Sequence, residues 1–515
     1  MSPQSNPSAS SMLMRYGIVG LFALAIIAFT TSSFGSIENS TLLIIAAVIG
    51  GYMALNIGAN DVANNVGPAV GSLALSMTAA IIIAAIFEAG GAIIAGGDVV
   101  STIKKGIIDP SSLSDPMTFI WLMMAALLAG AVWLNIATIL GAPVSTTHSI
   151  VGGVLGAGIA AGGMDIANWN KMGAIAASWV ISPVLGGIIA ATFLFIIKRM
   201  VIHQNNMVHS AKRVIPILLA IMAWAFTTYL CLKGLKKIWK IDFQTAALFG
   251  FGAAVITVFV TGKLIERAAS KLKNERMDVA NLFTIPLICS AALLSFAHGA
   301  NDVANAIGPL AAINDAIVNV GISQKASIPL WVMLIGAIGI AIGLALFGPK
   351  LIRTVGTEIT DLDKPRAFCV ALAAAITVII ASQLGLPVSS THIAVGGIFG
   401  VGFLREYLKR TYLAEMHVIS HQLDGKDKQR VEHILTNYTN TSVDEINKVF
   451  RRLKQDRKQL QMNKKDIKRL KKGYKEELVK RSALYKIAAA WIITVPASAI
   501  LAAFLFFALR GLMAA

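Results

Sequence analysis

Long apolar stretches with few charges alternate with short polar segments along most of the chain. Because about 20 apolar residues cover the hydrocarbon core of a bilayer, stretches of this length predict membrane-spanning helices. Their apolar positions do not alternate with polar ones, which argues against the strands of a membrane β-barrel. The pattern predicts thirteen segments: 14–34, 40–58, 76–97, 118–140, 145–162, 171–197, 213–233, 243–263, 279–297, 328–347, 365–384, 389–404 and 487–511.

Composition supports the same class, since 56% of the 515 residues are hydrophobic and only 14% are charged. We therefore predict an all-α polytopic membrane protein with about 12–13 transmembrane segments. The first segment follows a polar start without a small-residue cleavage site, so we interpret it as a retained span rather than a removed signal. All three cysteines lie in apolar segments, which argues against a disulfide framework or a metal cluster, and we expect no cofactor. They are Cys231, Cys289 and Cys369.

Two motifs occur twice along the chain, in the same order. Residues 58–68 read Gly-Ala-Asn-Asp-Val-Ala-Asn-Asn-Val-Gly-Pro, and residues 299–309 match them at nine of eleven positions. Residues 141–153 contain Gly-Ala-Pro-Val-Ser-Thr-Thr-His, and residues 385–397 contain Gly-Leu-Pro-Val-Ser-Ser-Thr-His. Ordered repetition of this kind indicates an internal duplication.

The order of the segments predicts that the two repeats are inverted in the membrane. If every segment crosses, seven crossings separate the two Asn-Asp motifs, and an odd number gives opposite orientations, with broken or re-entrant helices at the midplane as a further possibility. Positive residues place the amino terminus in the cytoplasm of an inner-membrane protein, although the lysines of 233–240 disagree. The predicted parts are a tail and extra first span (1–38), a first repeat (40–197), connecting spans (198–278), a second repeat (279–404 and 487–515) and a cytoplasmic insertion (405–486).

A third repeated element locates the insertion. A tryptophan-containing segment begins at Trp179 in the first half and at Trp491 in the second, and it follows 163–170 in one case and 405–486 in the other. The insertion holds 22 Lys and Arg against 11 Asp and Glu, in a chain whose net charge is +18. Positive residues beside a membrane explain this excess more simply than nucleic-acid binding does. Its periodicity is compatible with a helical pair or with a solvated basic arm.

Each Asn-Asp motif places a carboxylate in an apolar segment, where an ionised side chain costs about 2.5–3.5 kcal/mol even on lenient scales. Asp61 and Asp302 are flanked by amide side chains, and oxygens at this density suit a hard cation. Helix capping is the structural alternative, because Asn and Asp are good caps. The duplication favours two cation sites, formed by Asn60, Asp61, Asn64, Asn301, Asp302 and Asn305.

Each Ser/Thr run follows a Gly-x-Pro-Val break, which puts its hydroxyls at the start of a new helix. Free N–H groups and the positive end of the helix dipole make such a start an anion site. Hydroxyls add neutral donors, which suit phosphate or sulfate in spans that offer no Lys or Arg; the alternative is that they bond their own backbone. The predicted anion ligands are Ser145, Thr146, Thr147, Ser389, Ser390 and Thr391, beside Asp61 and Asp302.

Three further titratable residues lie inside predicted spans. His148 and His392 are candidates for a proton relay, or for simple packing. Glu88 breaks the symmetry, because its counterpart in the second repeat falls near Gly336. It either tunes ion coupling or bonds a neighbouring helix.

The doubled motifs closely resemble the inorganic phosphate transporter (PiT) family, which includes sodium–phosphate symporters. The resemblance covers 40–404 and 487–511, and 101–109 is similar to a loop of the family's first half. It implies a midplane phosphate site shared by both halves, sodium ions at the Asp/Asn motifs as co-transported substrates, and a homodimer. This chain departs from the family in its late insertion, its extra first span and the presence of Ala371 where some members carry Glu.

The predicted function is import of phosphate coupled to sodium, by a protein that is not an enzyme. Proton coupling and sulfate transport remain alternatives within the same architecture, although a carboxylate that can accept a phosphate proton favours phosphate. An intramembrane hydrolase is a remote alternative, because its Ser and His lie on one helix and the whole set is duplicated, which a single nucleophile does not need.

Overall fold

The computed structural model describes residues 9–113, 115–234, 239–319, 328–357, 362–420, 429, 432 and 481–514. The regular structure of these residues is helical, and their one isolated β-bridge joins Ile108 to Ala167. The helices are Ala9–Phe34 (α1), Ser40–Asn60 (α2), Ala63–Gly71 (α3), Met77–Ala95 (α4), Gly97–Lys105 (α5), Pro116–Leu140 (α6), Thr146–Gly162 (α7), Trp169–Ile197 (α8), Met207–Lys233 (α9), Phe243–Ala269 (α10), Arg276–Asn281 (α11), Thr284–Asp302 (α12), Ala304–Val318 (α13), Leu330–Phe347 (α14), Pro349–Thr357 (α15), Lys364–Gln383 (α16), Ser390–Ser420 (α17) and Arg481–Ala514 (α18).

Eleven helices or adjoining helix pairs in the described part of the chain are long and apolar enough to span a membrane. This confirms the predicted all-α polytopic fold. Two of the thirteen predicted segments, 145–162 and 389–404, are not among the eleven. Most of the predicted insertion, 421–480 apart from residues 429 and 432, lies outside the described residues.

The segment 145–162 forms the second arm of a helical hairpin. It corresponds to α7, which packs against α6. Asp109, before α6, donates its backbone N–H to the carbonyl of Ile166, after α7, at 2.8 Å. The open ends of the two helices therefore lie on the same side. At the tip, Gly141 has a φ of 71°, a left-handed conformation that glycine adopts without strain.

The second hairpin, α16 and α17, has the same construction. The two helices pack together, and Gly385 at their tip has a φ of 65°. The predicted segment 389–404 forms the first half of α17, which continues for 31 residues to Ser420. Hydropathy does not distinguish such an arm from a crossing, because both are apolar and of similar length.

Two long helices are broken at the Asn-Asp motifs. α2 ends at Asn60 and α3 begins at Ala63, while α12 ends at Asp302 and α13 begins at Ala304. Broken helices inside a membrane protein leave backbone groups available in a buried, polar centre. Each break also places its carboxylate at that centre, where Asp61 and Asp302 are both buried.

Each hairpin is held by the last helix of the other half. Gly156 of α7 lies against the backbone of Ala499 in α18, and Gly400 of α17 lies against the backbone of Gly187 in α8. The absence of a Cβ allows these backbones to approach closely, as in other membrane helix pairs. The two halves are thus interlocked around the hairpin tips.

Candidate ion and anion site

Asp61 joins the tips of both hairpins. Its Oδ2 accepts a hydrogen bond from Thr146 Oγ1 at 2.5 Å, and its Oδ1 accepts one from Thr391 Oγ1. Thr146 begins α7 and Thr391 lies in the first turn of α17. All three residues are almost inaccessible to solvent. One carboxylate therefore connects predicted anion ligands from both halves of the chain.

Two amides reach across to the hairpin of the opposite half. Asn64 Nδ2 donates to Thr391 Oγ1 at 2.7 Å. Asn305 Nδ2 donates to Thr146 Oγ1 at 3.0 Å and to Thr147 Oγ1 at 3.1 Å. Hydrogen bonds from each half to the hairpin of the other require that the two halves meet at one centre. These contacts show that they do.

Asp302 and Thr147 complete this centre. Asp302 Oδ2 accepts a hydrogen bond from Ser390 Oγ at 2.8 Å, and Thr147 Oγ1 donates to the carbonyl of Val388 in the opposite tip at 2.9 Å. The starts of α7 and α17 consequently lie side by side. Two helix amino termini directed at one place reinforce each other as an anion site.

The two serines that open the runs serve as helix caps. Ser145 Oγ accepts a hydrogen bond from the backbone N–H of His148 at 3.1 Å, and Ser389 Oγ accepts one from His392 at 3.2 Å. This is the backbone role that sequence reasoning offered as the alternative. Four of the six predicted hydroxyls face the centre, and an anion-binding role for the two serines stays a prediction.

The first Asn of each motif holds its own hairpin tip. Asn60 Nδ2 donates to Thr138 Oγ1 at 3.0 Å, and Asn60 Oδ1 accepts from the backbone N–H of Val144 at 3.1 Å. Asn301 Nδ2 likewise donates to Ser382 Oγ at 2.8 Å. The matching contacts fix each tip beside the helix break of the same half.

Several buried oxygens at the centre accept no hydrogen bond from any described residue. A buried acceptor left without a partner costs about 1–3 kcal/mol, so such atoms normally bind something. A cluster of amide and carboxylate oxygens fits a hard cation such as sodium. The atoms concerned include Oδ1 of Asn64, Asn301, Asp302 and Asn305.

His298 is a member of the site that sequence reasoning missed. Its Nδ1 lies 2.7 Å from Glu88 Oε2, and its Nε2 lies 2.8 Å from Asp302 Oδ2 and 3.9 Å from Asp61 Oδ2. Asn65 Nδ2 donates to Glu88 Oε1 at 2.7 Å. Glu88 therefore bonds a neighbouring helix and is connected through an imidazole to Asp302, and its role in ion coupling stays a prediction.

His298 has no polar counterpart in the first half of the chain. It precedes Gly299 of the second motif, and the matching residue before Gly58 is Ile57. The expectation that Glu88 matches a position near Gly336 is wrong: Gly299 packs on the backbone of Glu88 as Gly58 packs on that of Ile340. The polar pair thus occurs once, with two isoleucines in its place in the other half. The sequence feature that identifies His298 is its position as a single histidine in an apolar run, four residues before Asp302.

His148 and His392 lie together in a row of four rings. The two imidazoles meet edge to face with centroids 4.4 Å apart. His148 also packs on Trp179 at 3.8 Å, and His392 stacks on Trp491 at 3.7 Å. The row connects both hairpins to α8 and α18, which supports the packing alternative, and the proton relay stays a prediction.

Positive side chains are scarce near the centre. Among the side chains whose burial the structure describes, Arg366 is the only Lys or Arg that is buried. It lies in the first turn of α16, whereas the hairpin tip follows Gln383 at the other end. Seventeen residues of helix separate the two by about 26 Å. Among the described side chains, His298 is thus the basic one in contact with the carboxylates.

A polytopic helical protein with two interlocked hairpins, unpartnered cation-type oxygens and converging helix starts belongs to the class of membrane transport proteins. The chain is a member of the phosphate transporter family, whose model matches residues 57–502. This confirms the family resemblance found in the motifs. It also supports phosphate over sulfate, and it removes the hydrolase alternative because the family consists of transporters.

Similar proteins agree with this assignment. A putative phosphate permease of Helicobacter pylori (strain J99) is 51% identical over 506 residues, covering 96% of this chain and 93% of the relative. A putative phosphate permease of Pyrococcus furiosus is 40% identical over 364 residues, covering 71% of this chain and 88% of the relative. A solved structure described as the sodium-dependent phosphate transporter matches with a TM-score of 0.73 and 32% identity, covering 91% of this chain and 99% of that one.

Proposed function

We propose that this protein is a secondary active symporter that imports inorganic phosphate together with sodium ions. The observation that carries the proposal is the centre at which Asp61 accepts hydroxyls from both hairpins. A carrier must expose one site to either side of the membrane in turn, and a site built from two interlocked halves suits that task. The similar solved structure is described as sodium-dependent.

Phosphate is assigned to the place where α7 and α17 begin. Thr146, Thr147, Ser390 and Thr391 supply hydroxyls there, and the two helix starts supply N–H groups and dipoles. These donors are neutral, so they can release the anion after each cycle. Ser145 and Ser389 support this arrangement as caps that fix the first turn of each helix.

Sodium is assigned to the carboxylate and amide oxygens beside that place. Asp61, Asp302 and the Oδ1 atoms of Asn64, Asn305 and Asn301 form the ligand set. Asn60 is assigned to the hairpin tip, because both its amide nitrogen and its amide oxygen already have partners there.

Coupling follows from electrostatics. A divalent phosphate beside Asp61 and Asp302 brings four negative charges together, and two unit charges 4 Å apart interact by about 4 kcal/mol even at an effective dielectric of 20. His298 can offset at most one of these charges and Arg366 is remote, so cations that arrive with the substrate offset the rest. Each bound sodium ion then strengthens phosphate binding, and phosphate strengthens sodium binding to the same degree.

The pair formed by Glu88 and His298 favours proton coupling as a second candidate. A histidine between two carboxylates can hold a proton close to the ion site, 2.8 Å from Asp302. In that case a proton held by His298 takes the place of one co-transported sodium ion.

Uptake into proteoliposomes distinguishes the two candidates. Purified protein is reconstituted, and labelled phosphate uptake is measured with a sodium gradient or a proton gradient imposed separately, with unlabelled sulfate as competitor. We expect a sodium gradient to drive phosphate uptake at constant pH, and we expect unlabelled sulfate to compete only weakly. Uptake that needs only the proton gradient would replace sodium by the second candidate.

The remaining assignments complete the proposal. We place the protein in the cell inner membrane with the amino terminus and 405–486 in the cytoplasm, and we assign it a homodimeric state. The repeats run in opposite directions, so that one hairpin opens to each side. The matched tip contacts of Asn60 and Asn301 support a common construction of the two halves.

A further inference from the structure

A lysine of the second half lies against the tip of the first hairpin. Lys350 Nζ donates a hydrogen bond to the carbonyl of Ile139, near the end of α6, at 2.9 Å. A Cβ placed on Gly141, the glycine of that tip, would lie 3.3 Å from Lys350 Cε. The last turn of α6 has no basic residue of its own, so Lys350 supplies the positive charge that the carbonyl end of a helix favours. This tip is therefore held by an ammonium group as well as by Asn60.

The corresponding carbonyl of the second hairpin also has a lysine close to it. Lys233 Nζ lies 3.5 Å from the carbonyl oxygen of Gln383. Gln383 lies two residues before the glycine of its tip, as Ile139 does in the first hairpin. Lys233 ends α9, whereas Lys350 lies in the first turn of α15, so the duplication does not account for the two contacts. Each tip thus has an ammonium beside it, and the two come from segments that do not correspond.

The backbone of Lys350 is level with the break between α2 and α3. α14 and α15 pack beside α2 and α3 and run in the same direction. Gly58, before the break, packs on the backbone of Ile340, and Gly67, after the break, lies against the backbone of Ile352. Lys350 falls between these two contacts. A cation at this depth is costly beside lipid and usually marks the pathway of a substrate or ion.

The exposed face of α15 is polar. Lys350 and Arg353 are exposed on one face of this helix. The face that packs on α3 is apolar and buried, and it consists of Leu351, Ile352 and Val355. Charged side chains exposed at such depth favour water rather than acyl chains beside them. Because α15 runs toward the start of α16, this face indicates an aqueous route to the first tip from the side on which the second hairpin opens.

The ammonium of Lys350 has capacity for a further partner. A lysine ammonium has three N–H donors, and the carbonyl of Ile139 uses one of them. Among the described residues, no carboxylate forms a salt bridge with Lys350. A phosphate oxygen carries negative charge and therefore binds an ammonium more strongly than a neutral carbonyl does. An anion that reaches the tip can thus take the ammonium away from Ile139.

We propose that Lys350 binds phosphate on the α15 side of the transport site, in competition with the carbonyl of Ile139. This role rests on the proposed function, because it adds a phosphate-binding residue to the route of the same substrate. When the ammonium binds phosphate, the tip that carries Thr146 and Thr147 loses one contact and is free to move. When the anion has left, the bond to Ile139 forms again and holds the tip. Lys350 is therefore both a contact of the substrate and a latch on the first hairpin.

Phosphate uptake by right-side-out and by inverted membrane vesicles tests the proposal. Lys350→Gln keeps an amide donor for the carbonyl of Ile139 but removes the charge. Its KM for phosphate is expected to rise about tenfold in the one vesicle orientation that presents the α15 side, since one bond between charged groups is lost. Lys350→Arg should keep a KM near that of the wild type. Lys271→Gln, which removes an exposed charge after α10, is the control and should leave the KM unchanged in both orientations.

The outcomes separate this role from the proposed function. Wild-type vesicles that take up no phosphate in either orientation would overturn the proposed function and the role of Lys350 with it. Wild-type vesicles that transport, together with an unchanged KM for Lys350→Gln in both orientations, would overturn the role of Lys350 alone. An equal rise of the KM in both orientations would also overturn it, because a purely structural contact affects both sides.

A cysteine at the same position provides a second test, which applies if Lys350→Gln aggregates in size-exclusion chromatography. Lys350→Cys is made in a background without Cys231, Cys289 and Cys369. Reaction with aminoethyl methanethiosulfonate restores an ammonium and should restore the KM, whereas the sulfonatoethyl reagent adds a negative charge and should not. Phosphate in the medium should slow both reactions severalfold. A cysteine that reacts with neither reagent in either vesicle orientation would exclude the aqueous route and overturn the proposal.

Discussion

At the residue scale, Asp61 and Asp302 occupy matching positions but have different partners. Asp61 accepts one hydroxyl from each hairpin, whereas Asp302 accepts Ser390 and lies beside His298. An Asn at position 61 keeps only one acceptor oxygen and therefore releases one hairpin tip. An Asn at position 302 retains its acceptor for Ser390 and loses mainly charge. Asp302→Asn is consequently the cleaner probe of ion binding.

The asymmetric pair supports a prediction about uptake. The double variant Glu88→Ile/His298→Ile installs the residues that the other half carries at Ile340 and Ile57, so we expect it to fold. It removes the imidazole that lies 2.8 Å from Asp302, and phosphate uptake should therefore fall at least about tenfold. Uptake measured in proteoliposomes under a sodium gradient and under a proton gradient provides the test. A double variant with the uptake of the wild type under both gradients would exclude the pair from transport.

Residues that repeat could be assigned from the sequence, and residues that do not repeat could not. Asn64 and Asn305 were assigned to the site from the doubled motif alone, and the structure brings both to the hairpin tips. The residue that matches His298 in the first half is an isoleucine, so the repeated motif did not predict His298 as a site residue. The capping role of Ser145 depends on the conformation of one turn, which residue type does not determine.

At the scale of helices, the hairpins depend on close contacts between backbones. α7 packs on α18 and α17 packs on α8, with glycines where the helices cross. The sequence predicted α7 as an apolar helix of the right length but did not show which helix it pairs with. The pairing of α6 with α7 is shown by the contact of Asp109 with Ile166, which joins segments that no repeat connects.

Replacement of one crossing glycine should therefore destabilise the protein. A Cβ at Gly156 would overlap the backbone of Ala499, and overpacking of this kind costs about 1–3 kcal/mol. We expect Gly156→Ala to lower the midpoint of thermal unfolding in detergent. Gly173→Ala in α8 is the matched control, because a Cβ there meets nothing within 4 Å. Equal midpoints for the two variants would show that the α7–α18 contact is looser than described.

At the level of the whole molecule, the proposed arrangement has hairpins that open to opposite sides of the membrane. The segment before α6 is exposed at Ser111, and the segment before α11, which contacts the base of the second hairpin through Arg276 and Asp363, is exposed at Lys273. In a background without Cys231, Cys289 and Cys369, a single cysteine at one of these positions should react with an impermeant maleimide in right-side-out vesicles, and a single cysteine at the other only in inverted vesicles. Labelling of both in vesicles of the same orientation would contradict the inverted arrangement.

The insertion should be dispensable for transport itself. The first half passes from its hairpin to α8 through residues 163–168 alone, and the Pyrococcus furiosus relative aligns over 88% of its length with only 71% of this chain. Replacement of 421–480 by a short Gly/Ser bridge is expected to leave uptake within about twofold of the wild type, since transport contacts lie elsewhere. Complete loss of uptake in a monodisperse deletion variant would assign the insertion a necessary role.

Coupling requires that sodium and phosphate bind to one shared site at the hairpin tips. Isothermal titration of phosphate into purified protein, with sodium replaced by choline at constant ionic strength, tests this requirement. We expect saturating sodium to raise phosphate affinity at least about tenfold in the wild type, and Asp302→Asn to fold but lose this dependence. A phosphate affinity that is independent of sodium in the wild type, or an Asp302→Asn variant with unchanged sodium dependence, would contradict sodium coupling at this site.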